Sequence, residues 1–300
     1  MSFDLPIPQT VTATISISDF PIEAALHNGP KALAIITGIE GASYRPLGAV
    51  MVCDQKGNRH GSLSSGCIEK DVALHCVEAL RDGQSRRLRY GSRSPFMDLQ
   101  LPCGGGLDVL IVPNPDPSAL ARVASDMANR ETSTLQFENI SLTIEPDIRF
   151  IIFGKGPETQ ALSRLAQSAG YLVETYSPDP ETLADIDGHF LPSPRWPEGL
   201  CPDRRSAICL FFHDHDWEPP ILAEALASEA FYIGAQGSRR AHEARCEALM
   251  HYGVPPDALT RIAAPFGLIP SVRDPKTLAV SVLSHVLAKA QTKGKIGSIT

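Results

Sequence analysis

The stretch Phe150-Ile151-Ile152-Phe153-Gly154-Lys155-Gly156-Pro157 decides the fold of the second half of the chain. Four consecutive apolar residues predict a strand that is buried on both faces, as in a parallel sheet. The glycines that follow permit a tight turn. The proline favours the first turn of a helix, because its φ is fixed and it has no N–H to leave unpaired. We therefore predict a strand, a glycine turn and a helix over about 157–169.

The same alternation of apolar runs and amphipathic segments continues towards the end of the chain. It predicts strands at 171–176, 207–212 and 231–233, and helices after Pro220, over 238–251 and over 274–290. Buried strands that alternate with amphipathic helices are typical of a parallel, doubly wound sheet. Residues 149–300 are thus predicted to form a Rossmann-like domain.

The first part of the chain, residues 1–113, has a different pattern in which strands predominate. We predict strands at 32–39, 48–54, 85–90 and 107–113, with a short strand that ends near Leu63. Apolar residues recur at helical spacing from Ile68 to Leu80, and Gly83 stands where a glycine commonly ends a helix. The chain is therefore expected to be an α/β protein with a strand-rich α+β domain first.

Between these parts lies a segment, residues 114–148, that the pattern assigns to neither domain. Three prolines in the five residues 113–117 are incompatible with a central strand or a helix interior, and predict a linker. A helix from about Ser118 and two short strands up to Glu145 follow. A length of 300 residues agrees with two domains.

The composition excludes several classes of function. The 34 acidic residues outnumber the 27 basic ones, giving a formal charge of −7, and no Lys/Arg-rich block is present. Such a chain is a poor candidate for binding nucleic acid or an anionic membrane. No apolar run approaches the ~18 residues of a membrane span. The first residues lack the features of a signal peptide, so we expect a cytoplasmic protein.

The seven cysteines do not form the pattern of a disulfide framework, because their number is odd and no Cys-x-x-Cys pair occurs. Cys53, Cys76 and Cys209 fall on apolar strand or helix faces, and we expect them in the core.

Two other cysteines have unusual neighbours. Cys67 follows Gly66 at the start of the first predicted helix, where the helix dipole favours a thiolate. Cys103 precedes Gly104 and Gly105, whose small size lets backbone N–H groups approach a ligand. Both thiols are candidate ligand contacts.

Three segments of the second half are further candidates for a site. Gly154 and Gly156 could admit a pyrophosphate at the helix start, although Thr159 replaces the third glycine of the dinucleotide fingerprint. This leaves open whether a dinucleotide binds.

A second turn contains Gly237, Ser238, Arg239 and Arg240, which could hold a phosphate through backbone donors and guanidinium groups. The alternative is that the arginines pair with surface carboxylates such as Glu243. His213 and His215 follow the strand at 207–212 and could bind a metal or simply belong to a polar loop.

Together these segments resemble the xanthine dehydrogenase accessory factor family, also called the XdhC/CoxI family. The resemblance covers roughly residues 20–290. It rests on these stretches taken in order: Gly41–Ala49, Gly61–Glu69, Leu101–Gly105, Phe153–Pro157, His213–His215, Tyr232–Arg240, Ala264–Leu268 and Ala279–Ser281.

The resemblance implies a maturation factor rather than a metabolic enzyme. Members of the family bind the molybdenum cofactor, a phosphorylated pterin dithiolene that carries molybdenum, during its sulfuration. They then pass it to an apo-molybdoenzyme such as xanthine dehydrogenase. The expected partners are that apo-enzyme and a cysteine desulfurase, and Cys67 and Cys103 become the candidate contacts to molybdenum. A homodimer is the default oligomer.

Two rival functions remain from the residues themselves. The first is an NAD(P)-dependent oxidoreductase that uses the turn of Gly154 and Gly156. The second is a zinc protein built from Cys67, Cys103, His213 and His215.

Overall fold

The structure is a computed structural model that describes residues 10–64, 66, 68–92, 94 and 104–295, without the side chains of His215 and of residues 292–295. The chain divides between Pro146 and Asp147 into two compact units.

The first unit contains eight strands and three helices among its described residues. The strands are β1 (Val11–Ser16), β2 (Lys31–Glu40), β3 (Val50–Asp54), β4 (Arg59–His60), β5 (Arg86–Gly91), β6 (Gly106–Pro113), β7 (Ser133–Phe137) and β8 (Ile140–Glu145). The helices are α1 (Ile22–Leu26), α2 (Glu69–Asp82) and α3 (Pro117–Ala128).

An antiparallel five-stranded sheet, in the order β4-β3-β2-β6-β5, forms the centre of this unit. Successive residues of its middle strand β2 point to opposite faces. Ala34 and Ile36 pack with α2, whereas Leu33 and Ile35 pack towards a second sheet in the order β1-β8-β7. Both faces are covered, which explains why the sequence of β2 is continuously apolar.

The segment 114–148 belongs mainly to the first unit. Its strands β7 and β8 pair with each other, and β8 also pairs in parallel with β1 from Val11↔Ile140 to Ser16↔Glu145. The proline-rich residues 113–117 connect β6 to α3 inside this unit, so the break between the units comes later, after Pro146. The sequence analysis missed β1, although Val11, Ala13 and Ile15 show the alternation of a half-buried strand.

Two details of the first unit differ from the prediction. The short strand β4 ends at His60 and not near Leu63, and β3 begins at Val50 rather than at residue 48. The helix α2 ends as predicted: Gly83 has a φ of 71°, and its N–H donates to the carbonyl of Ala79 at 2.8 Å.

The second unit contains six strands and six helices in the described part of the chain. The strands are β9 (Arg149–Gly154), β10 (Leu172–Ser177), β11 (His189–Phe190), β12 (Ser206–Phe211), β13 (Tyr232–Ala235) and β14 (Ile262–Ala263). The helices are α4 (Pro157–Ser168), α5 (Pro180–Leu183), α6 (Glu218–Ala227), α7 (Arg239–His251), α8 (Pro256–Leu259) and α9 (Pro275–Lys295).

All neighbouring strands of the second unit are parallel, in the order β11-β10-β9-β12-β13-β14. In order of appearance along the chain this is 3-2-1-4-5-6, the strand order of the Rossmann fold. Phe150 and Ile152 of β9 pack with α4 and α9, and Ile151 and Phe153 pack with α6 and α7. The predicted Rossmann-like domain is confirmed.

Cys53, Cys76 and Cys209 are completely buried in the cores of the two units, as predicted. Cys201 is exposed, and Cys246 is partly buried. Within the described residues, no helix has the combination of length and apolar character needed to cross a membrane.

Candidate functional site

Several loops of the first unit begin or end at the same end of its five-stranded sheet. Here Glu40 of β2, Gly91 of β5 and Gly106 of β6 lie side by side in register. The loop after β4 starts at the corresponding end of β3, because a Cβ on Gly61 would lie only 2.6 Å from the carbonyl oxygen of Val50, the first residue of β3, which pairs with Ile35 of β2. The topology therefore brings the described ends of the loop 61–68 and the loop 92–105 to one end of the sheet.

The loop from Gly61 to Ile68 is folded around the carboxylate of Glu69, the first residue of α2. Glu69 Oε1 accepts hydrogen bonds from the Ser62 hydroxyl (2.9 Å), Leu63 N–H (3.1 Å) and Ser64 N–H (2.8 Å). Its Oε2 accepts from the Ser64 hydroxyl (2.9 Å) and Ile68 N–H (3.2 Å). Glu69 is only 3% exposed, so these donors replace water around the charge.

The same donors keep Glu69 ionised. Burial by itself would raise the pKa of this carboxyl group, but hydrogen bonds from the N–H groups of Ser64 and Gly66 and from the Ser62 hydroxyl lower the pKa to about 2. The loop that contains Gly66 therefore encloses a fixed negative charge near neutral pH.

Arg89 of β5 fixes the base of the loop 92–105. Its guanidinium donates to Asp108 at 2.9 Å, forms an ion pair with Glu40, and donates to the carbonyl oxygen of Ser92 at 2.9 Å. Ser92 N–H donates in turn to Gly105 O at 2.9 Å, which closes the loop at its base.

The predicted glycines of these loops fall into two kinds. Gly66 and Gly104 have φ values of 110° and 68°, and a Cβ on either would meet no atom within 4 Å, so both face open space on that side, although the Gly66 N–H already donates to Glu69. Gly105 differs, because a Cβ there would lie 2.5 Å from Glu40 O and glycine is required for packing. The predicted contacts Cys67 and Cys103 lie outside the described residues.

The glycine turn of the second unit has the expected backbone, but one of its donors is already paired. Gly156 has a φ of 88°, and its N–H donates to the Thr182 hydroxyl at 2.7 Å. That hydroxyl donates to Asp179 Oδ2 at 2.6 Å. In a dinucleotide site this N–H would face the pyrophosphate.

Thr159 occupies the place of the third glycine and is completely buried. A Cβ on Gly154 would lie 2.5 Å from Thr159 Oγ1 and 2.7 Å from Phe211 O, so residue 154 must be glycine because of close packing. Gly154 is thus explained by close packing and Gly156 by its positive φ.

His213 follows β12 and is an exposed side chain, with its Nε2 3.9 Å from Glu158 Oε2. Nearby, Asp214 Oδ1 accepts a hydrogen bond from Asp216 N–H at 3.2 Å, as in a polar loop that pairs with itself. The described residues contain no group of three or more His, Cys, Asp or Glu side chains that could hold a metal ion.

A cavity of about 590 Å³ lies at the start of α7, at the carboxyl end of β13. One side is formed by the turn Gln236–Arg239, which includes the predicted Gly237 and Ser238, and the other side by residues of the segment 265–273. Ser238 caps α7 by accepting a hydrogen bond from Ala241 N–H at 3.3 Å. The remaining N–H groups of the first turn are the donors available to an anion.

The arginines of this region have different positions. Arg239 lines the cavity, and its side chain, 92% exposed, also pairs with Glu243 at 3.0 Å, as the alternative interpretation of the sequence predicts. Arg240 is exposed and does not line the cavity. Arg273, which the sequence analysis did not identify, lines the cavity from the opposite segment. The cavity therefore combines two guanidinium groups with a helix start.

A buried ion pair supports the turn Gln236–Arg239 from the protein interior. Arg245 of α7 and Glu218 of α6 are each 1% exposed in their side chains, and they are joined by two hydrogen bonds of 2.9 and 3.0 Å. Arg245 also donates to the carbonyl oxygen of Gln236 at 2.7 Å. A Cβ on Gly237 would lie 3.2 Å from this guanidinium and 2.9 Å from Ala241 Cβ, so the turn must be glycine here.

The opposite wall of the cavity is fixed to α9. Gly267 N–H donates to His285 Nδ1 at 3.3 Å, and Ile269 N–H donates to the Ser281 hydroxyl at 2.7 Å. Tyr232 Oη lies 3.1 Å from the same His285 nitrogen. Burial, with a smaller effect of Lys289, lowers the pKa of His285, in agreement with a neutral ring that accepts at Nδ1.

Comparison with known proteins identifies related families and structures. Residues 24–91 match the model of the "XdhC and CoxI family", and residues 150–286 match that of the "XdhC Rossmann domain". The chain is 30% identical over 292 residues to the Escherichia coli K12 protein named molybdenum cofactor insertion chaperone PaoD, covering 90% of this chain and 87% of that protein.

Two more distant matches cover nearly the whole chain. A Bacillus subtilis protein, named as a probable subunit of xanthine dehydrogenase, is 24% identical, covering 93% of this chain and 98% of that protein. A crystal structure from Bacillus halodurans, described as a xanthine dehydrogenase, has a TM-score of 0.71 at 21% identity. It covers 93% of this chain and 96% of that one, and shows the same fold.

Removing one member of the buried ion pair should destabilise the second unit. We expect Arg245→Ala or Glu218→Ala to lower the free energy of unfolding by about 3–5 kcal/mol, because each leaves a charge buried without its partner. Urea denaturation followed by circular dichroism measures this. Arg239→Ala, which removes only an exposed pair, is the control and should cost below about 1 kcal/mol. A loss below ~1 kcal/mol for Arg245→Ala would contradict the role of the pair.

His285 should make stability depend on pH. Its pKa in the folded chain lies below the ordinary value of 6.5, so the ring is neutral in both states above pH 6.5 and stability there is unaffected. As pH falls below 6.5, the unfolded chain takes up the proton first, and the free energy of unfolding decreases. We expect His285→Gln to reduce this decrease in urea titrations between pH 7 and 5. The exposed His27→Gln should leave it as in the parent, and equal slopes for all three proteins would refute the assignment.

Proposed function

The chain belongs to the XdhC and CoxI family, and from this premise we propose that it is a chaperone of the molybdenum cofactor. In this role it holds the cofactor while its terminal sulfur is installed, and delivers it to apo-xanthine dehydrogenase or a related molybdenum hydroxylase. It acts as a maturation factor in the cytoplasm rather than as a metabolic enzyme.

One observation carries this proposal: the chain is 30% identical, over 90% of its length, to a protein named as a molybdenum cofactor insertion chaperone. A relationship of this extent includes both units and the loops between their elements. The named function of the relative therefore applies best to the whole chain and not to one motif.

The geometry of the first unit supports the proposal. The described ends of the loops that carry Cys67 and Cys103 in the sequence lie at one end of the five-stranded sheet, and Gly66 and Gly104 face open space on the side where a Cβ would stand. When bound, the cofactor supplies a soft metal–sulfur centre, which thiolates suit as ligands. Cys67 and Cys103 would contact it.

The cavity of the second unit has the chemistry to bind a phosphate group. Arg239 and Arg273 are among the residues that line it, and the start of α7 adds backbone donors and the positive end of the helix dipole. We therefore propose Gly237, Ser238 and Arg239 as phosphate contacts. Arg240 has no part in the cavity, and Gly154, Gly156 and His213 are weaker candidates because of the contacts described above.

The proposed partners follow from the same role. An apo-molybdoenzyme must receive the cofactor, and a cysteine desulfurase must supply the sulfur. A homodimer is the proposed assembly.

Replacement of the loop thiols should weaken retention of the cofactor. We expect Cys67→Ala and Cys103→Ala each to lower the molybdenum content of the purified protein at least about tenfold, since a metal–thiolate contact is worth more than the ~1.4 kcal/mol that this factor represents. Elemental analysis measures molybdenum, and it also detects zinc, which would favour the zinc protein instead. The exposed Cys201→Ala is the matched control. Parent-like molybdenum in both loop variants would refute the thiol assignment.

The rival function, an NAD(P)-dependent oxidoreductase, makes the opposite prediction. Because the Gly156 N–H is paired with Thr182, we expect no saturable binding of NADH or NADPH in a fluorescence titration of the parent protein. Measurable binding that is lost in Gly156→Glu, without any response to the molybdenum cofactor, would favour the oxidoreductase instead.

A further inference from the structure

We propose that Glu69 is a positioning residue, whose carboxylate holds the loop from Gly61 to Ile68 in the conformation that receives the cofactor. This inference rests on the proposed function. The inference goes beyond the proposed function because it assigns the conformation of the loop to one side chain that does not itself contact the cofactor.

The arrangement of donors around Glu69 is the first argument. Hydrogen bonds of 2.8–3.2 Å reach its two oxygens from Ser62, Leu63, Ser64 and Ile68, and the Gly66 N–H is a further donor. All of these donors lie in the loop that precedes the helix. Because the carboxylate is almost completely buried, opening the loop would leave a charge without partners in the protein interior.

The direction of the side chain is the second argument. A capping residue stands before the first helical turn and accepts from N–H groups inside the helix. Glu69 is itself the first residue of α2, and it reaches back to N–H groups of the loop instead. Its bonds to Ser64 and Ile68 lie on either side of Gly66, so they hold the chain before and after this glycine.

The position of Gly66 is the third argument. It has a positive φ of 110° and is exposed, and the Glu69 bonds to Ser64 and Ile68 flank it along the chain. Cys67 is the next residue in the sequence. A ligand contact on this part of the chain depends on the conformation that Glu69 imposes, and less of the binding free energy is then spent on ordering the loop.

A purely stabilising role for Glu69 predicts different behaviour. If the carboxylate only stabilised the unit, any equally destabilising change in α2 would affect cofactor binding to the same extent. Val72→Ala is a destabilising change in α2, because Val72 is completely buried there and packs in the core beneath the sheet, and its free energy of unfolding is measured beside that of the Glu69 variants. It serves as the matched control.

The test compares four proteins: the parent, Glu69→Ala, Glu69→Gln and Val72→Ala. Hydrogen–deuterium exchange is measured in the peptide 61–70. Cofactor affinity is measured by titration with molybdenum cofactor released from a purified molybdoenzyme. We expect amide exchange in the loop to rise at least ~10-fold in Glu69→Ala, with cofactor affinity falling at least ~10-fold. Val72→Ala should change neither by more than ~2-fold while the protein remains folded. Glu69→Gln keeps the volume and one acceptor oxygen, so it provides the same comparison if the alanine variant does not fold.

Chemical rescue makes the test specific for the carboxylate. Glu69→Ala leaves the loop donors facing a space of carboxylate size, so sodium formate should restore loop protection and cofactor affinity. Sodium chloride at the same ionic strength should not. A structural defect elsewhere in the unit would not respond to formate.

The outcomes separate this inference from the function on which it rests. Unchanged loop exchange in the Glu69 variants, or cofactor affinity equal to that of Val72→Ala, would overturn the positioning role and leave the chaperone function standing. A parent protein that binds no cofactor would overturn the proposed function, and with it any positioning role for that cofactor.

Discussion

Both units depend on a central strand that is buried on both of its faces. In β2 the residues Ala32–Ile36 pack alternately against a helix and a second sheet, and in β9 the residues Phe150–Phe153 pack between two layers of helices. No polar side chain can be placed along such a strand without losing its water. The polar chemistry of the molecule is therefore confined to the ends of its sheets, where the chain turns.

In three turns at these ends, a charged side chain forms hydrogen bonds with loop backbone. The Glu69 carboxylate accepts from N–H groups of one loop, Arg89 donates to the carbonyl of Ser92 at the base of another, and Arg245 donates to the carbonyl of Gln236 while it pairs with Glu218. Glu69 and Arg245 are buried, and because a buried charge is costly without its partners, the backbone around them has few alternative arrangements. Arg89 is partly exposed and pairs with Glu40 and Asp108.

Elements that depend on a local pattern of residues were predicted from the sequence, whereas features that depend on contacts between distant segments were missed. The strand at Phe150, the helix before Gly83 and the burial of Cys53 follow from periodicity and neighbouring residues, and all are observed. The strand at Val11 was missed although its apolar residues alternate, and its pairing with Ile140, far along the chain, has no local signal. Arg273 and the pair of Arg245 with Glu218 were missed for a related reason, since only the folded sheet brings their segments together.

The parallel pairing of β1 with β8 also determines the order in which the first unit can form. The five-stranded sheet is complete once the chain has been synthesised to Pro113, yet one of its faces lacks the strands β7 and β8. Strand β1 cannot pair with β8 until β8 has been synthesised. Closing the long loop between the two strands costs entropy, which is offset only when the sheet β1-β8-β7 is complete. During synthesis, all five strands of the sheet that carries the loops around Glu69 and Arg89 are thus made before the layer that covers one of its faces is complete.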